Sequence, residues 1–318
     1  MPPWGEKNRR ESTTQKTVEG SRPTRVDGEV SFVCKKHLSQ RVIDLLESWQ
    51  AQSVTLELPL ATDLHTLLTL DAVSPDAFLA PSAHTGWGRI YGGQAIAQAL
   101  RAAALTVNDG QIPHSMHAYY VRQGDEAAPV LYEVQRIRDG RSFSTRQVVA
   151  SQSGGAILNC IASFHTPEES EEREATFLPS DAPQSDDLED EETPLFFQTR
   201  AQRDNHGMAT LAWMRANESF GDDPVMNACA LAYLSDEHLL GAALTGHSLI
   251  GDFEKLMTAS LDHVLWFHRP LRVDDWLCFT LDGQGMSDAR GLSIARVFDR
   301  AGTHVATAAQ EALGRPRR

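Results

Sequence analysis

The residues between 95 and 107 are apolar at the spacing of an α-helix, and small apolar residues occupy much of its remaining surface. One side carries Ile96, Ala99, Leu100, Ala103 and Val107, and the other carries Ala95, Ala97 and Ala102. A helix that is apolar almost all round is typical of a buried position. Gly92-Gly93-Gln94 precedes it, and glycine tolerates backbone angles that other residues resist. The pattern predicts a buried helix whose first amide groups are open to a ligand.

Strand-like runs surround this helix. Residues 118–121, 130–137, 143–150 and 156–164 follow it, and residues 67–73 and 77–79 are candidate strands before it. One buried helix among several strands predicts a sheet that curls around the helix.

The second half of the chain shows the same succession. Residues 210–214 are strand-like, and Asp222-Asp223-Pro224 is a helix start with a side-chain cap and a proline in the first turn. Residues 225–234 are again apolar nearly all round. Further strands are predicted at 260–267, 276–281, 292–298 and 304–313.

Short strings of the two halves match at a nearly constant separation. Tyr119-Tyr120-Val121-Arg122 corresponds to Trp266-Phe267-His268-Arg269, Arg141 and Ser144 to Arg290 and Ser293, and Gly154 to Gly302. We therefore expect two copies of one fold, with one continuous sheet or two facing sheets around two parallel buried helices.

The composition predicts the boundaries of these copies. Residues 1–66 should form a disordered tail and a short amphipathic helix over 32–49, and residues 67–165 the first repeat. Residues 168–192 hold twelve acidic residues against a single arginine, so 166–194 is predicted to be a solvated acidic linker. Residues 195–318 form the second repeat.

Charge and cysteine content exclude several classes of protein. The net charge is −14, which disfavours a nucleic-acid partner, although much of it lies in the predicted linker. The four cysteines are scattered, so neither a disulfide framework nor a metal site is expected. No apolar stretch is long enough for a membrane span, and no secretory signal or carboxyl-terminal Ser-Lys-Leu address is visible, which favours the cytoplasm.

Several separated strings resemble the acyl-CoA thioesterase II (TesB-like) family. The first half contributes Tyr91-Gly92-Gly93-Gln94, His114-Ser115-Met116-His117-Ala118-Tyr119-Tyr120, Arg138-Asp139-Gly140-Arg141-Ser142-Phe143-Ser144 and Ala162-Ser163-Phe164. The second half contributes Leu231-Ala232-Tyr233-Leu234-Ser235-Asp236, residues 261–270 (LDHVLWFHRP), Ala289-Arg290-Gly291 and Gln310-Glu311. Their order and spacing together are specific, and they cover the chain from about residue 67 onward apart from the acidic linker.

The resemblance implies an α+β double hotdog fold, in which two tandem repeats each wrap an antiparallel sheet around a buried central helix. It implies hydrolysis of medium- or long-chain fatty acyl-CoA to free fatty acid and coenzyme A, with no cofactor beyond the coenzyme A of the substrate. The family's catalytic Asp, Thr or Ser, and Gln fall on Asp236, Ser260 and Gln310. The resemblance further implies a homo-oligomer, because hotdog units usually pair with one another.

The chemistry of thioester hydrolysis suits these residue types. A thioester is already activated, so the protein must position a water molecule and stabilise an oxyanion. Asp236 can accept a proton from water, whereas the amide of Gln310 does not titrate and can only donate and accept hydrogen bonds. By themselves, such residues are more often a helix cap, a surface serine and a strand glutamine. The resemblance is what favours the catalytic interpretation.

Several other residues are candidates for binding the substrate or for taking part in the chemistry. Gly92, Gly93 and Gln94 are candidates for substrate binding, because amides at a helix start suit an oxyanion, but the glycines equally permit tight packing. Arg89, Arg122 and Arg290 are all candidates for the coenzyme A phosphates. The strand histidines His114, His117, His263 and His268 are interpreted as residues satisfied by their neighbours, because no pairing with a serine or cysteine is evident.

Three rival functions are less compatible with the sequence. Gly-Gly-Gln also occurs in peptide release factors, but those bind RNA and favour basic surfaces. A hotdog enoyl-CoA hydratase needs an Asp-x-Asn-x-x-His arrangement, and Glu237 and His238 follow Asp236 without a matching asparagine. A non-catalytic acyl-CoA-binding or regulatory hotdog protein would not require the Asp, Ser and Gln set, and it stays as the alternative.

Overall fold

A computed structural model describes residues 58–252 and 254–317, and the helix predicted over 32–49 lies outside this range. The first half contains α1 (Leu64–Leu67), β1 (Asp71–Ser74), β2 (Ala77–Ala80), α2 (Gly92–Ala104), β3 (Ile112–Tyr120), β4 (Val130–Asp139), β5 (Phe143–Gln152) and β6 (Gly155–His165). The second half contains β7 (Phe197–Arg203), β8 (Ala209–Ala216), α3 (Pro224–Ser235), α4 (Leu239–Ala243), β9 (Leu256–Ser260), β10 (Asp262–Phe267), β11 (Leu277–Ser287), β12 (Arg290–Phe298) and β13 (His304–Pro316).

All these strands belong to one sheet. Its order is β1-β2-β4-β5-β6-β3-β10-β13-β12-β11-β8-β7, and β9 pairs with β13 beside this path. Every strand pair is antiparallel. The second half of the order repeats the first half in reverse, so the two halves join through β3 and β10 into one continuous sheet.

The hydrogen-bond register shows that the two halves are copies. Asp262 pairs with Tyr119, and Trp266 pairs with Ser115. Asp262 lies 147 positions after Ser115, and Trp266 lies 147 positions after Tyr119. Ser115 therefore pairs with the counterpart of Tyr119, and Tyr119 pairs with the counterpart of Ser115, which is what a local two-fold axis between two copies produces.

The β-bulges repeat at the same separation and correct one part of the sequence alignment. One bulge lies at residues 136–138 of β4, and another lies 147 positions later at residues 283–285 of β11. At this separation Arg290 and Ser293 correspond to Phe143 and Arg146. The predicted match to Arg141 and Ser144 was therefore shifted by two residues.

The two central helices pack with opposite ends together. A Cβ on Gly93, in the first turn of α2, would lie 2.3 Å from the backbone oxygen of Tyr233 in the last turn of α3. Only glycine permits that approach. Arg101, in the last turn of α2, is close enough to Cys229 in the middle of α3 for its charge to lower the pKa of that thiol in part. The helices are therefore antiparallel neighbours, not parallel as the sequence suggested.

The second helix begins as its sequence predicts. The Asp223 side chain accepts hydrogen bonds from the amides of Val225 and Met226, and Pro224 occupies the first turn. Such a cap satisfies amides that have no partner inside the helix. Residues 227–235 of α3 are all buried.

An insertion distinguishes the second repeat from the first. Pro224 opens α3 132 positions after Gly92 opens α2, whereas the next matching strands, β3 and β10, are 147 positions apart. The additional residues between α3 and β10 form α4 and β9. Asp236 stands at the beginning of this insertion and Ser260 at its end.

Two predicted strands are interrupted. Residues 260–267 form two strands, because β9 ends at Ser260 and β10 begins at Asp262, each pairing with a different part of β13. The strand predicted over 67–73 begins only at Asp71. Residues 64–67 form α1 instead, because Asp63 caps this helix by accepting a hydrogen bond from the Thr66 amide at 2.6 Å.

Residues 166–194 connect the repeats and are partly packed. Leu178, Ala182 and Leu188 pack against the outer side of the second repeat, on a cluster formed by Leu211, Trp213, Trp276, Cys278 and Phe298. Arg200 on β7 forms ion pairs with Asp186 and Asp190, so two of the acidic residues hold the segment against β7. Along the described ranges, no helix is long and apolar enough to cross a membrane.

Candidate active site

Asp236 lies where the two repeats meet, immediately after α3. Its Oδ2 accepts a hydrogen bond from the Gly93 amide at 2.9 Å, and its Oδ1 accepts one from the Tyr120 hydroxyl at 3.3 Å. Gly93 and Tyr120 belong to the first repeat. The carboxylate is therefore held at the start of α2, where amide groups and the helix dipole favour negative charge.

Burial dominates the titration of this carboxyl group. The side chain of Asp236 is 7% exposed, and burial raises the pKa of its carboxyl group above the ordinary value of an aspartate. Four neighbours lower that pKa in part: His263, the Gly93 amide, Tyr120 and Arg89. A carboxylate with a raised pKa is a better base than an ordinary aspartate, and it is still held in place by two donors.

Gln310 and Ser260 are in direct contact. Gln310 lies on β13, is fully buried, and donates a hydrogen bond from Nε2 to Ser260 Oγ at 2.8 Å. Ser260 closes β9 and is partly exposed. These residues are fifty positions apart in sequence and meet because β9 pairs with the end of β13.

His263 connects this pair to Asp236. Its Nδ1 lies 2.8 Å from Gln310 Oε1 and 3.9 Å from Asp236 Oδ1, and its Nε2 lies 2.9 Å from Ser235 Oγ. The ring is fully buried, and burial lowers the pKa of His263 below its usual value. The sequence analysis interpreted His263 as a residue satisfied by its neighbours and did not place it at the site. It also expected no serine partner, which is wrong, because Ser235 is one.

Alternation along β10 is the signal that would have found His263. His263 and Leu265 are buried, whereas their neighbours on the strand are partly or fully exposed. A polar residue in a buried register has to be hydrogen-bonded, and a histidine in that place is a site candidate. The contact of Tyr120 with Asp236 has no such signal, because it crosses between the repeats.

The three residues of the Gly-Gly-Gln string have different environments. The Gly93 amide is engaged by Asp236, and a Cβ on Gly92 would lie 2.7 Å from Asp236 Oδ2. Gln94 is fully buried. Its Oε1 accepts a hydrogen bond from the Ala83 amide, and its Nε2 donates one to Ser82 Oγ at 3.3 Å. Gln94 therefore holds the preceding loop in place, while the two glycines surround the carboxylate.

The corresponding place in the other half of the molecule is apolar. With the structural alignment of the repeats, the counterparts of Asp236, His263, Gln310 and Tyr120 are Ala104, Met116, Ala162 and Phe267. In the part of the chain that the structure describes, this polar arrangement is thus present at one of the two related places.

The residues after Asp236 reverse the chain sharply. His238 has a positive φ of 65°, and its Nε2 lies 3.1 Å from Thr199 Oγ1. Burial lowers the pKa of His238 to about 4, and burial together with the charge of Asp236 raises the pKa of Glu237 to about 7. The strained residue His238 therefore separates α3, whose last helical backbone angles are those of Asp236, from α4.

A cleft of about 750 Å³ lies elsewhere, lined by residues 190–195, Phe197, Gln198 and Asn217. Asp190, Glu191 and Glu192 line it, and they would repel an anionic ligand. The hydrogen-bonded set around Asp236 is therefore the better candidate for chemistry. Over residues 58–252 and 254–317, no three His, Cys, Asp or Glu side chains are grouped closely enough to hold a metal ion.

Comparison with protein families divides the chain as the fold does. The family described as acyl-CoA thioesterase matches residues 186–313, and the family described as the acyl-CoA thioesterase N-terminal domain matches residues 80–165. The first range contains Asp236, Ser260, His263 and Gln310.

Similar proteins extend over most of the chain. Acyl-coenzyme A thioesterase 8 of Mus musculus is 35% identical over 71% of this chain and 80% of its own length. Acyl-CoA thioesterase 2 of Haemophilus influenzae is 31% identical over 78% of this chain and 95% of its own length.

Solved structures agree in fold. The acyl-CoA thioesterase II TesB2 of Mycobacterium marinum is 32% identical, covers 80% of this chain and 97% of its own, and superposes with a TM-score of 0.69. A hotdog-fold protein of Alicyclobacillus acidocaldarius, 17% identical, covers 80% of this chain and 98% of its own with a TM-score of 0.66, which concerns the fold alone. The expected double hotdog fold is confirmed, and the chain belongs to the acyl-CoA thioesterase family of thioester hydrolases.

Proposed function

We propose that this protein hydrolyses medium- or long-chain fatty acyl-CoA to free fatty acid and coenzyme A by means of a water molecule activated at Asp236. The observation that carries the proposal is the connected set of Asp236, His263, Gln310 and Ser260, built from four separate segments of the second repeat. The double hotdog fold and the family membership support the same chemistry.

In the proposed reaction, Asp236 accepts a proton from water as the water oxygen attacks the thioester carbonyl carbon. The carbon–sulfur bond then breaks and coenzyme A leaves as the thiolate, which takes up the proton that Asp236 accepted and so restores the carboxylate. Gln310 and Ser260 orient the reacting atoms through hydrogen bonds, and neither has to become covalently attached to the acyl group.

The oxyanion of the tetrahedral intermediate needs a donor that is not already engaged. The Gly93 amide is bound to Asp236, whereas the Gly92 amide has no backbone or side-chain partner among the residues described. It also stands at the start of the buried helix α2. We therefore propose Gly92 as the oxyanion donor, with Gly93 holding the base.

The coenzyme A phosphates require a cation near the site. Of the three candidate arginines, Arg290 is paired with Glu311 at 3.1 Å and Arg122 lies beside the turn at Gly154 and Gly155. Arg89 is exposed and close enough to Asp236 to lower the pKa of its carboxyl group. We therefore propose Arg89 as the residue that binds a coenzyme A phosphate.

The test is release of free thiol from decanoyl-CoA and palmitoyl-CoA, with acetyl-CoA for comparison. Asp236→Asn keeps the size of the side chain but removes the base, so we expect kcat to fall by roughly 10²- to 10⁴-fold while the longer substrates still bind. Asp252→Asn is the matched control, because Asp252 belongs to the same insertion and forms an exposed pair with Lys255.

Three outcomes would contradict the proposal. Asp236→Asn with the kcat of the wild type would reject the base. An acyl group trapped on Ser260 during turnover would reject direct attack by water. Binding of acyl-CoA without thiol release would support the alternative, a non-catalytic acyl-CoA-binding protein.

A further inference from the structure

The Asp236 site contains a buried histidine for which the proposed reaction has no chemical step. His263 is fully buried on β10, and each of its ring nitrogens lies within hydrogen-bond distance of a neutral side chain. Because burial lowers its pKa, the ring is neutral at neutral pH and carries a single N–H. Which nitrogen carries that hydrogen decides the direction of every hydrogen bond connected to it.

The neighbouring carboxylate selects the tautomer. Asp236 Oδ1 lies 3.9 Å from His263 Nδ1. A lone pair on Nδ1 would face that negative charge and be repelled, whereas a hydrogen on Nδ1 is attracted to it. Nδ1 is therefore the protonated nitrogen, and it donates to Gln310 Oε1 at 2.8 Å. Nε2 then accepts the hydrogen of Ser235 Oγ at 2.9 Å, so that hydrogen points to the ring and not to the Ala232 backbone oxygen, which lies 3.0 Å from Oγ.

This tautomer determines how the amide of Gln310 is oriented. Because Oε1 accepts from His263, the Nε2 group of Gln310 faces Ser260 and donates to its Oγ at 2.8 Å. The hydroxyl hydrogen of Ser260 is then not consumed by Gln310. It is left to donate into the partly exposed site, toward water or the thioester oxygen.

We infer that His263 is a positioning residue whose Nδ1–H orients the Gln310 amide and thereby makes Ser260 a hydrogen-bond donor to the reacting atoms. The inference deepens the proposed function and rests on hydrolysis at Asp236. His263 itself touches neither substrate nor water in this role, since its two ring nitrogens are occupied by Gln310 and Ser235.

Substitution at 263 tests the inference through the donor at Nδ1. His263→Asn keeps an N–H close to the position of Nδ1, whereas His263→Leu fills similar space without a donor. We expect His263→Leu to lower kcat for decanoyl-CoA by about tenfold to a hundredfold, as misplaced catalytic groups do, with KM within about twofold of the wild type. His263→Asn should recover most of that loss.

A double-mutant cycle separates positioning from general damage to the fold. Ser260→Ala should lower kcat in the wild type but change it little in His263→Leu, where Ser260 is already misdirected. His114→Leu is the control, because His114 is also a strand histidine bonded to a serine, Ser163, at 2.8 Å. It should leave kcat unchanged.

The tautomer itself can be measured without any variant. Nitrogen-15 NMR of the wild type labelled at histidine should show His263 with a protonated Nδ1 and a bare Nε2. A hydrogen on Nε2 would overturn the inference, and so would equal losses in His263→Asn and His263→Leu or an additive double-mutant cycle. A wild type that releases no thiol would instead contradict the proposed function, so the two failures are distinguishable.

Discussion

Two glycines permit the contact between the base and the central helix. A Cβ on Gly92 would lie 2.7 Å from Asp236 Oδ2 and 2.8 Å from the Tyr120 hydroxyl oxygen. Neither neighbour can retreat without breaking the bond between them, so any side chain at 92 must move the carboxylate.

Gly92→Ala should therefore lower kcat strongly, by about a hundredfold if Asp236 moves by an ångström, while the protein stays folded. The measurement is thiol release from decanoyl-CoA together with a thermal melt. Gly154→Ala is the control, because a Cβ there meets only the flexible end of Arg122 at 3.3 Å. Wild-type kcat in Gly92→Ala would show that the approach of this glycine to Asp236 is not needed.

The pH profile depends on the hydrogen bond between Tyr120 and Asp236. Asp236 must be ionised to accept a proton, so kcat should fall as pH drops through its raised pKa. The Tyr120 hydroxyl bonds to the charged form and lowers that pKa.

Tyr120→Phe removes this stabilisation, so the pKa of Asp236 should rise further and the acid limb of the kcat profile should move to higher pH. Tyr132→Phe, which loses a buried hydrogen bond to Gln98, should leave the limb where it is. An unmoved limb in Tyr120→Phe would mean that Asp236 is not the group that titrates.

At the scale of elements, a buried arginine joins the end of α2 to two strands. Arg146 on β5 is fully buried and donates to the hydroxyl and the backbone oxygen of Thr106 and to the backbone oxygen of Arg138. It also pairs with the half-exposed Asp139. Its counterpart in the second repeat is Ser293, which donates to the backbone oxygen of Leu239.

Arg146→Met should destabilise the protein by roughly 2–4 kcal/mol, because it leaves buried oxygen atoms without donors. Chemical denaturation measures the free energy of unfolding. Arg136→Met removes an ion pair with Asp76 in which both side chains are about 40% exposed, and it should cost less than about 1 kcal/mol. Equal losses for the two variants would contradict the structural role of Arg146.

At the scale of the whole molecule, the outer face of the sheet is covered unequally. Residues 178–188 cover part of it over the second repeat. Around the junction of β3 and β10, Tyr119, Ile161 and Trp266 are 66%, 50% and 37% exposed. The local two-fold axis passes through this junction, and a surface with its own two-fold symmetry can meet a second copy in a self-complementary contact.

We therefore expect a homo-oligomer in which a second copy covers this face. Light scattering should give a multiple of the chain mass for the wild type and a smaller mass for the Tyr119→Lys/Ile161→Lys double variant. Phe177→Lys is the control, since Phe177 is 70% exposed but lies on the segment between the repeats. A monomeric wild type would contradict the expectation.

Local sequence predicted the elements that depend on local physics. The apolar periodicity of 95–107 and 225–234 predicted both central helices, and the Asp223-Pro224 start is present as expected. The separation of the matched strings predicted two repeats. The carried-over residues Asp236, Ser260 and Gln310 lie in one connected set, although their catalytic roles remain predictions for the tests above.

The chain by itself determined periodicity, caps and repeated strings, because those are set by neighbours a few positions apart. Only the tertiary structure decided that the helices are antiparallel, that β3, β4 and β5 match β10, β11 and β12 at 147 positions, and that Tyr120 and Gly93 of one repeat hold Asp236 of the other. It also decided that His263 stands between Asp236 and Gln310. Contacts between residues tens to hundreds of positions apart depend on strand register and helix packing, which a single sequence does not record.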